Sequence, residues 1–350
     1  MTQIAAIGDL HLDKLDKLFG EDVANAMILT EFDLALQWCY DNHIKWVVQL
    51  GDIAEHTRLS YTAHKGLMRL CHKWDGKLNL FFIRGNHDWA EEGVHSLELM
   101  ETLNELGTYE TIRFIQGAEQ WELDGILCNL LSYPHTKPLP SSRQPLNFGH
   151  FEVAGSLRDN GRKIKEGFTP DPRHRYVLGH LHTPHDVGKA HFVGTLFQTN
   201  FGESLPKSFT VIDCDYEGRA LDVNYRRIKW NPAFELVNAV IEDEADWKKL
   251  KPGKKYWYKL FISEDVVVPS DIGIRFNIVN TQAWGTRQEL ELLQTADLLS
   301  LDGDAAPDLD PDAELTVWLQ KKHGIPAKEA QEILRFRNTL LGKANDTTEN

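Results

Sequence analysis

Four short segments of this chain set ligand-type side chains behind an apolar run and a glycine: IAAIGDLH, WVVQLGD, LFFIRGNHD and RYVLGHLH. They place Asp9 and His11, Asp52, Asn86 and His87, and His180 and His182 at the ends of strand candidates. Open α/β sheets form their sites beyond the carboxyl ends of strands, and glycine there permits tight turns and close backbone approach. Asp9 and His11 are two apart, as are His180 and His182, a spacing that points both side chains to one side of an extended segment. Carboxylate, amide and imidazole without thiolate suit manganese, iron or zinc better than copper(I) or an iron–sulfur cluster. Two such metals roughly 3.5–4 Å apart clamp the attacking and leaving oxygens of an in-line displacement at phosphorus. Only Asp9 and Asp52 of this set are anionic, so two divalent ions leave the site positive and attractive to a phosphate. One such motif alone is commonly structural; all four in order, each after a strand candidate, point to a metal centre. A further isolated histidine has two candidates, His135 in SYPHTKP and His150 in NFGHFEVAGS.

The elements that must hold these residues follow from periodicity. Ile4–Ile7, Trp46–Leu50 and Leu78–Ile83 read as strands, separated by helices over Asp22–Asn42 and Tyr61–Trp74 and followed by a helix over His95–Leu106. In the first helix Ile28, Phe32, Ala35 and Cys39 recur at helical spacing. The pattern then turns β-rich: Ile112–Ile115, Trp121–Leu123, Ile126–Leu131, Tyr176–Leu178, His191–Val193, Ser208–Asp213 and Leu221–Arg227. Alternating units followed by a β-rich half predict a layered α/β sandwich. Near Trp230–Pro232 the pattern restarts, with strand candidates at Ala233–Glu242, Tyr256–Ser263 and Arg275–Asn280. Leu301–Asp312 is acidic and carries proline and glycine, and reads as a linker. Beyond it Leu315, Trp318 and Leu319, then Ile333, Phe336, Leu340 and Leu341, fall on amphipathic helical faces.

With 350 residues the chain is long enough for about two domains. A formal charge of −14 argues against coating DNA nonspecifically, so any nucleic-acid contact must be local. Cys39, Cys71, Cys128 and Cys214 are scattered and read as buried thiols rather than a disulfide framework. The N-terminus runs directly into a strand, and no apolar stretch approaches the ~18 residues of a membrane span. The expectation is a cytoplasmic protein, in the host cytoplasm if of phage origin, with no membrane contact.

DxH, GD, GNH(D/E), an isolated His and GHxH form the pattern of the calcineurin-like metallophosphoesterases, which residues 1–228 resemble. The resemblance implies a four-layer α/β/β/α metallophosphoesterase sandwich. It implies that Asp9, His11, Asp52 and His182 bind one divalent ion, with Asp52 bridging to a second held by Asn86, His150 and His180. Nucleases of this family carry a similar GH-x-x-x-x-G segment, which selects His150 over His135. The family gives the histidine equivalent to His87 to the phosphate and leaving group, a task suited to imidazole. Many relatives carry an Asp three residues after the bridging Asp; Glu55 stands there, and is expected to hydrogen-bond His87. Asp88 is expected to stabilise its turn.

The metal set does not choose among phosphatase, cyclic-nucleotide esterase and nuclease. The layout beyond residue 228 resembles SbcD-type DNA repair nucleases and their bacteriophage recombination counterparts. It implies a phosphoesterase domain over 1–228, a small α/β DNA-binding cap over 229–298, an acidic linker over 299–312 and a C-terminal helical tail over 313–350. The tail would dock on an SMC-like, SbcC-type ATPase or on a second copy in a homodimer. The stretch WKKLKPGKKYWYK sets Lys248, Lys249, Lys254 and Lys255 among Trp247, Tyr256, Trp257 and Tyr258, suited to phosphates and stacked bases. Arg158, Arg162 and Lys163 form a second basic candidate near the site. The implied activity is 3′–5′ exonuclease and single-strand endonuclease action on DNA with two divalent ions, manganese first and magnesium, iron or zinc as alternatives. The competing expectations are a phosphatase or cyclic-nucleotide phosphodiesterase, and a metal-free scaffold.

Overall fold

The computed structural model describes residues 1–284, apart from 91–94, 160 and 204–205. The linker expected at 299–312 and the tail expected at 313–350 lie outside the described residues. Among the described residues fifteen strands follow in order: β1 Thr2–Ile7, β2 Trp46–Gln49, β3 Asn79–Ile83, β4 Ile112–Ile115, β5 Ala118–Leu123, β6 Ile126–Leu131, β7 Leu146–Gly149, β8 Arg175–Leu178, β9 His185–Val187, β10 Ala190–Phe192, β11 Lys207–Glu217, β12 Ala220–Trp230, β13 Glu235–Ile241, β14 Tyr256–Ser263 and β15 Asn277–Trp284.

The first sheet runs β12-β11-β1-β2-β3-β4, and its last four strands are parallel. The second runs β5-β6-β7-β8-β10-β9, with β6, β7, β8 and β10 parallel. Their inner faces share one core, in which Leu130, Phe148 and Val177 of the second sheet join Ile4, Val47 and Phe82 of the first. Helices Glu21–Asp41 and Tyr61–Trp74 form the β–α–β connections of the first sheet. The first buries Ile28, Phe32, Ala35 and Cys39, the face that the periodicity predicts. The second is capped by Ser60, whose side chain accepts from the Ala63 N–H. Among the described residues the outer face of the second sheet is covered not by a helix but by the irregular stretch from Phe151 to Phe168, which packs on Tyr176 and Leu178. The result is the mixed α/β sandwich expected. All four cysteines are buried and free, and no described helix is long and apolar enough to cross a membrane.

The third sheet is small and parallel, in the order β13-β14-β15. Tyr258, Leu260 and Ile262 of β14 bury one face against Trp247, Leu250 and Phe276. It packs on the sandwich through Phe197 against Phe234 and Phe19 against Trp257, with ring centroids 5.5 and 4.5 Å apart. The described residues all fall in one compact unit.

His191 ties β10 to β11. Its Nδ1 lies 2.6 Å from Asp186 Oδ1 and its Nε2 2.9 Å from Thr210 Oγ1. Its ring stacks on Tyr225 at 4.2 Å. A neutral ring satisfies both bonds, donating to Asp186 and accepting from Thr210. Burial, aided by Arg227 and His185 and opposed by Asp186, pushes its pKa down to about 4. An unfolded histidine titrates near 6.5. The contribution is therefore complete above pH 6.5 and is lost as pH falls toward 4, by about 2 kcal/mol at pH 5. Urea unfolding at pH 7.5 and pH 5 checks this: His191→Gln should lose less stability on acidification than the parent, by about that amount. Equal losses in the two proteins would remove His191 as the cause.

Candidate metal centre

The strands deliver their side chains to one edge. Asp9 and His11 follow β1, Asp52 follows β2, and Asn86 and His87 follow β3, all in the first sheet. His150 follows β7, and His180 and His182 follow β8, in the second. The carboxyl ends of two parallel sets thus meet across the sandwich. Bonds cross the gap: His150 Nδ1 donates to the Leu50 carbonyl at 2.7 Å, and the His180 N–H donates to Asp9 Oδ1 at 3.1 Å. Glycine makes the approach possible. A Cβ at Gly85 would overlap Asp52 Oδ1 and N, and one at Gly179 would overlap the Leu50 carbonyl. The reason the paired ligands converge differs from the expected extended geometry. His11, Asp52 and His180 have φ of +50°, +48° and +77°, so three ligands sit in left-handed backbone, a cost of order 1–3 kcal/mol each that surrounding bonds must hold.

Two groupings result. Asp9, His11 and His182 form one, and Asp52, His150 and His180 the other. His11 Nε2 and His182 Nε2 face each other at 3.1 Å, and Asp9 Oδ2 lies 3.5 Å from His182 Nε2. His182 Nδ1 is hydrogen-bonded to Glu203 Oε1 at 2.9 Å, and His11 Nδ1 lies 2.7 Å from Glu55 Oε2 as a charge contact. In the tautomer that gives the His182 Nδ1–H to Glu203, His182 Nε2 turns a lone pair toward Asp9 Oδ2, a buried oxygen with no hydrogen-bond partner. Asp9, His11 and His182 thus bring three ligand atoms within reach of one another, an arrangement a cation would complete. In the second grouping His150 Nε2 lies 3.0 Å from Asn86 Oδ1 and 3.2 Å from Asp52 Oδ2, and His180 Nδ1 lies 2.9 Å from Asn86 Oδ1. The donor set fits two divalent ions, with Asp52 facing both groupings: its Oδ2 is also 3.8 Å from His11 Nε2.

The electrostatics say the same. Burial opposes ionisation of Asp52, yet His150 and His11 hold it well below the usual carboxylate range. Burial would lower His150, yet Asp52 and Asp9 push it up to about 9. With protein charges alone, His150 is driven to supply positive charge beside Asp52 and Asp9, whereas burial and Lys14 lower His11.

His150 is buried in the centre, whereas His135 is exposed. His87 is half-buried at the rim and stands in a third grouping with His11 and Asp52. Its main-chain N–H donates to Asp52 Oδ1 at 3.0 Å. The expected bond from His87 to the Glu55 carboxylate is not formed. His87 Nδ1 bonds the Glu55 main-chain carbonyl at 2.9 Å, while the carboxylate faces His11 and Lys14. The imidazole of His11 and the ammonium of Lys14 outbid the rim histidine; although burial opposes it, they hold the Glu55 pKa down to about 2. Asp88 accepts from the N–H groups of Ile53, Ala54 and Gly85, which clamps the two ligand loops together.

Three carboxylates near the ligands escaped the sequence reading. Glu203 faces His182, Asp159 Oδ2 lies 3.5 Å from His182 Nδ1, and Glu152 Oε1 lies 3.6 Å from His180 Nε2. Asp159, His182 and Glu203 form a fourth grouping, but Lys207 Nζ occupies Glu203 Oε2 at 2.5 Å, so this is support rather than another metal site. These acids reduce the positive surplus expected from Asp9 and Asp52 alone.

The basic candidates are dispersed. Arg158 pairs with Glu152 at 2.9 Å, beside His180. Arg162 and Lys163 lie on the exposed turn that follows. Lys249 pairs with Asp246 and Lys255 with Glu235, at 2.5 and 2.8 Å. Among the described residues Lys248 and Lys254 make no ion pair. Trp247 and Tyr258, expected as stacking surfaces, are core residues of the third sheet instead. Tyr256 and Trp257 are half-buried.

A two-sheet sandwich with paired aspartate–histidine clusters at its shared edge defines a metal-dependent phosphoesterase. The sequence matches the calcineurin-like phosphoesterase family over residues 2–184, just over half the chain, and the protein belongs to that family. It is accordingly a hydrolase whose family uses a dinuclear divalent metal site. No curated protein matches the sequence. Among solved structures the chain is similar to one described as GAP50, the anchor in the inner membrane complex of Plasmodium, at 10% identity and a TM-score of 0.37, over 67% of this chain and 90% of the other.

Proposed function

We propose that this phosphoesterase is a DNA nuclease, acting as a 3′–5′ exonuclease and single-strand endonuclease with manganese preferred. The observation that carries the reading is the third sheet. It lies beyond the family match, packs beside the loop at 197–203 that faces His182, and exposes Lys248 and Lys254 to solvent. A simple phosphatase needs no such addition. Asp9, His11, His182 and Asp52 would hold one divalent ion, and Asp52, Asn86, His150 and His180 the other. Bound there, such ions supply Lewis acidity toward phosphoryl oxygens and ready a water for attack. The protein's own part is to orient and to move a proton. His87 gives its Nδ1–H to the Glu55 carbonyl, so it would act from the imidazolium form, passing the Nε2 proton to the departing sugar oxygen and ending as the neutral Nδ1–H tautomer. Membership in a recombination or repair complex belongs to the same proposal, with 313–350 docking on an SMC-like ATPase or a second copy in the cytoplasm.

End-labelled linear DNA incubated with manganese tests the reading, with p-nitrophenyl phosphate and cyclic nucleotides alongside. DNA should be the better substrate by a wide margin; faster turnover of the small esters would make the chain a phosphatase or small-molecule phosphodiesterase. The salt dependence of binding locates the contact. With Lys249 and Lys255 engaged by acids, replacing Lys248 and Lys254 by Ala should lower the slope of log affinity against log salt by about two. An unchanged slope would move the DNA contact away from the third sheet.

A further inference from the structure

Glu203 lies beyond the span matched to the family, at the end of the run GTLFQTNFGE. Yet it is among the most heavily engaged side chains in the protein. Its side chain is 2% exposed, and so is that of Lys207. Oε1 accepts from His182 Nδ1 at 2.9 Å, from Asn200 Nδ2 at 2.9 Å and from the Thr199 hydroxyl. Oε2 takes Lys207 Nζ at 2.5 Å, and Lys207 is itself held by Thr195 Oγ1 at 2.9 Å. A carboxylate tied on both oxygens cannot rotate away. It therefore fixes both the tautomer and the ring plane of His182 and keeps Nε2 turned toward Asp9 and His11.

The same loop is stitched to the third sheet. Gln198, 4% exposed, donates from Nε2 to the Glu203 carbonyl at 2.8 Å and to the Leu236 carbonyl at 3.1 Å. The Leu236 N–H returns a bond to Gln198 Oε1 at 3.0 Å. Asn238 Nδ2 donates to the Phe201 carbonyl at 2.9 Å. Leu236 and Asn238 belong to β13. The backbone that carries Glu203 is thus set by the first strand of the third sheet, through a pair of amide bonds that resembles an extra rung.

We infer that Glu203 is a positioning residue for His182, and that Gln198 makes metal retention at His182 depend on the seating of the third sheet. This rests on the reading of His182 as a metal ligand. A ligand seated beneath the third sheet that shifted β13 would thereby change the hold on one metal and leave the other alone.

The test is calorimetric titration of the metal-free full chain with manganese, read as two binding events. Glu203→Asp keeps a charge for Lys207 but withdraws it from His182 by one methylene. It should weaken one event about 10–100-fold and spare the other. The double variant Glu203→Gln with Lys207→Met removes the buried pair together and should show the same selective loss. Gln198→Leu leaves the Glu203 side chain in place and should weaken the same event by a smaller factor. Wild-type titration of the first two, or equal weakening of both events, overturns the positioning role. Wild-type titration of Gln198→Leu overturns the link to the third sheet. His182→Ala separates the two readings: if it too titrates as wild type, it is the ligand assignment that fails.

Discussion

Asp52→Asn should leave a folded protein that holds at most one metal and has lost nearly all hydrolysis. The asparagine keeps an oxygen for the His87 N–H, which Asp52 Oδ1 now accepts at 3.0 Å, so the loop retains its anchor. What it loses is the one carboxylate whose Oδ2 faces both groupings, 3.2 Å from His150 Nε2 and 3.8 Å from His11 Nε2. Losing an outer partner of a ligand typically costs 10–100-fold. Losing a charged ligand shared by two divalent ions should exceed that, to about 10³-fold or more in turnover. Metal content by mass spectrometry and hydrolysis of bis(p-nitrophenyl) phosphate check it. This generic diester keeps the test independent of the DNA proposal. Two metals retained with activity within tenfold of the parent would remove Asp52 from the bridging position.

The inner ligands were legible because each one ends an apolar strand at a glycine. That layout is local, and Asp9, His11, Asp52, Asn86, His180 and His182 are found where it puts them. His150 obeys it too, in the run LNFGH, but its strand β7 is four residues long and follows a proline-rich stretch, so periodicity alone passed over it. The outer carboxylates carry no such mark. Glu203 meets His182 across 21 residues of chain, and Glu152 and Asp159 come from an irregular segment. Only the folded loops bring them near. Glu55 shows a different limit. Its position three residues after Asp52 was read correctly as near the site, but which of its oxygens faces which histidine depends on Lys14 and His11. In the third sheet the lysine–aromatic pattern had two uses open to it. The parallel pairing of β13 with β14 sends Tyr258 inward, while Lys248, Lys249, Lys254 and Lys255 fall on the connection between the two strands.

His87→Ala should separate binding from proton transfer. His87 belongs to the rim, its Nδ1 given to the Glu55 carbonyl and its ring 5.1 Å from that of His11 in an edge-on contact. No first-grouping ligand depends on it, so both metals should remain. Hydrolysis of DNA, whose leaving sugar oxygen needs a proton, should fall about 10²–10⁴-fold. Hydrolysis of thymidine 5′-p-nitrophenyl phosphate, whose nitrophenolate departs without one, should change little. The contrast is diagnostic because a lost metal would slow both substrates together. Glu55→Gln supplies the control that the structure makes possible. Its carboxylate faces His11 and not His87, so the substitution should weaken metal binding while leaving the ratio of the two substrates as in the parent. Equal falls for both substrates in His87→Ala, or none in either, would take the proton-donor role away from His87. A changed substrate ratio in Glu55→Gln would return the Glu55 carboxylate to that histidine.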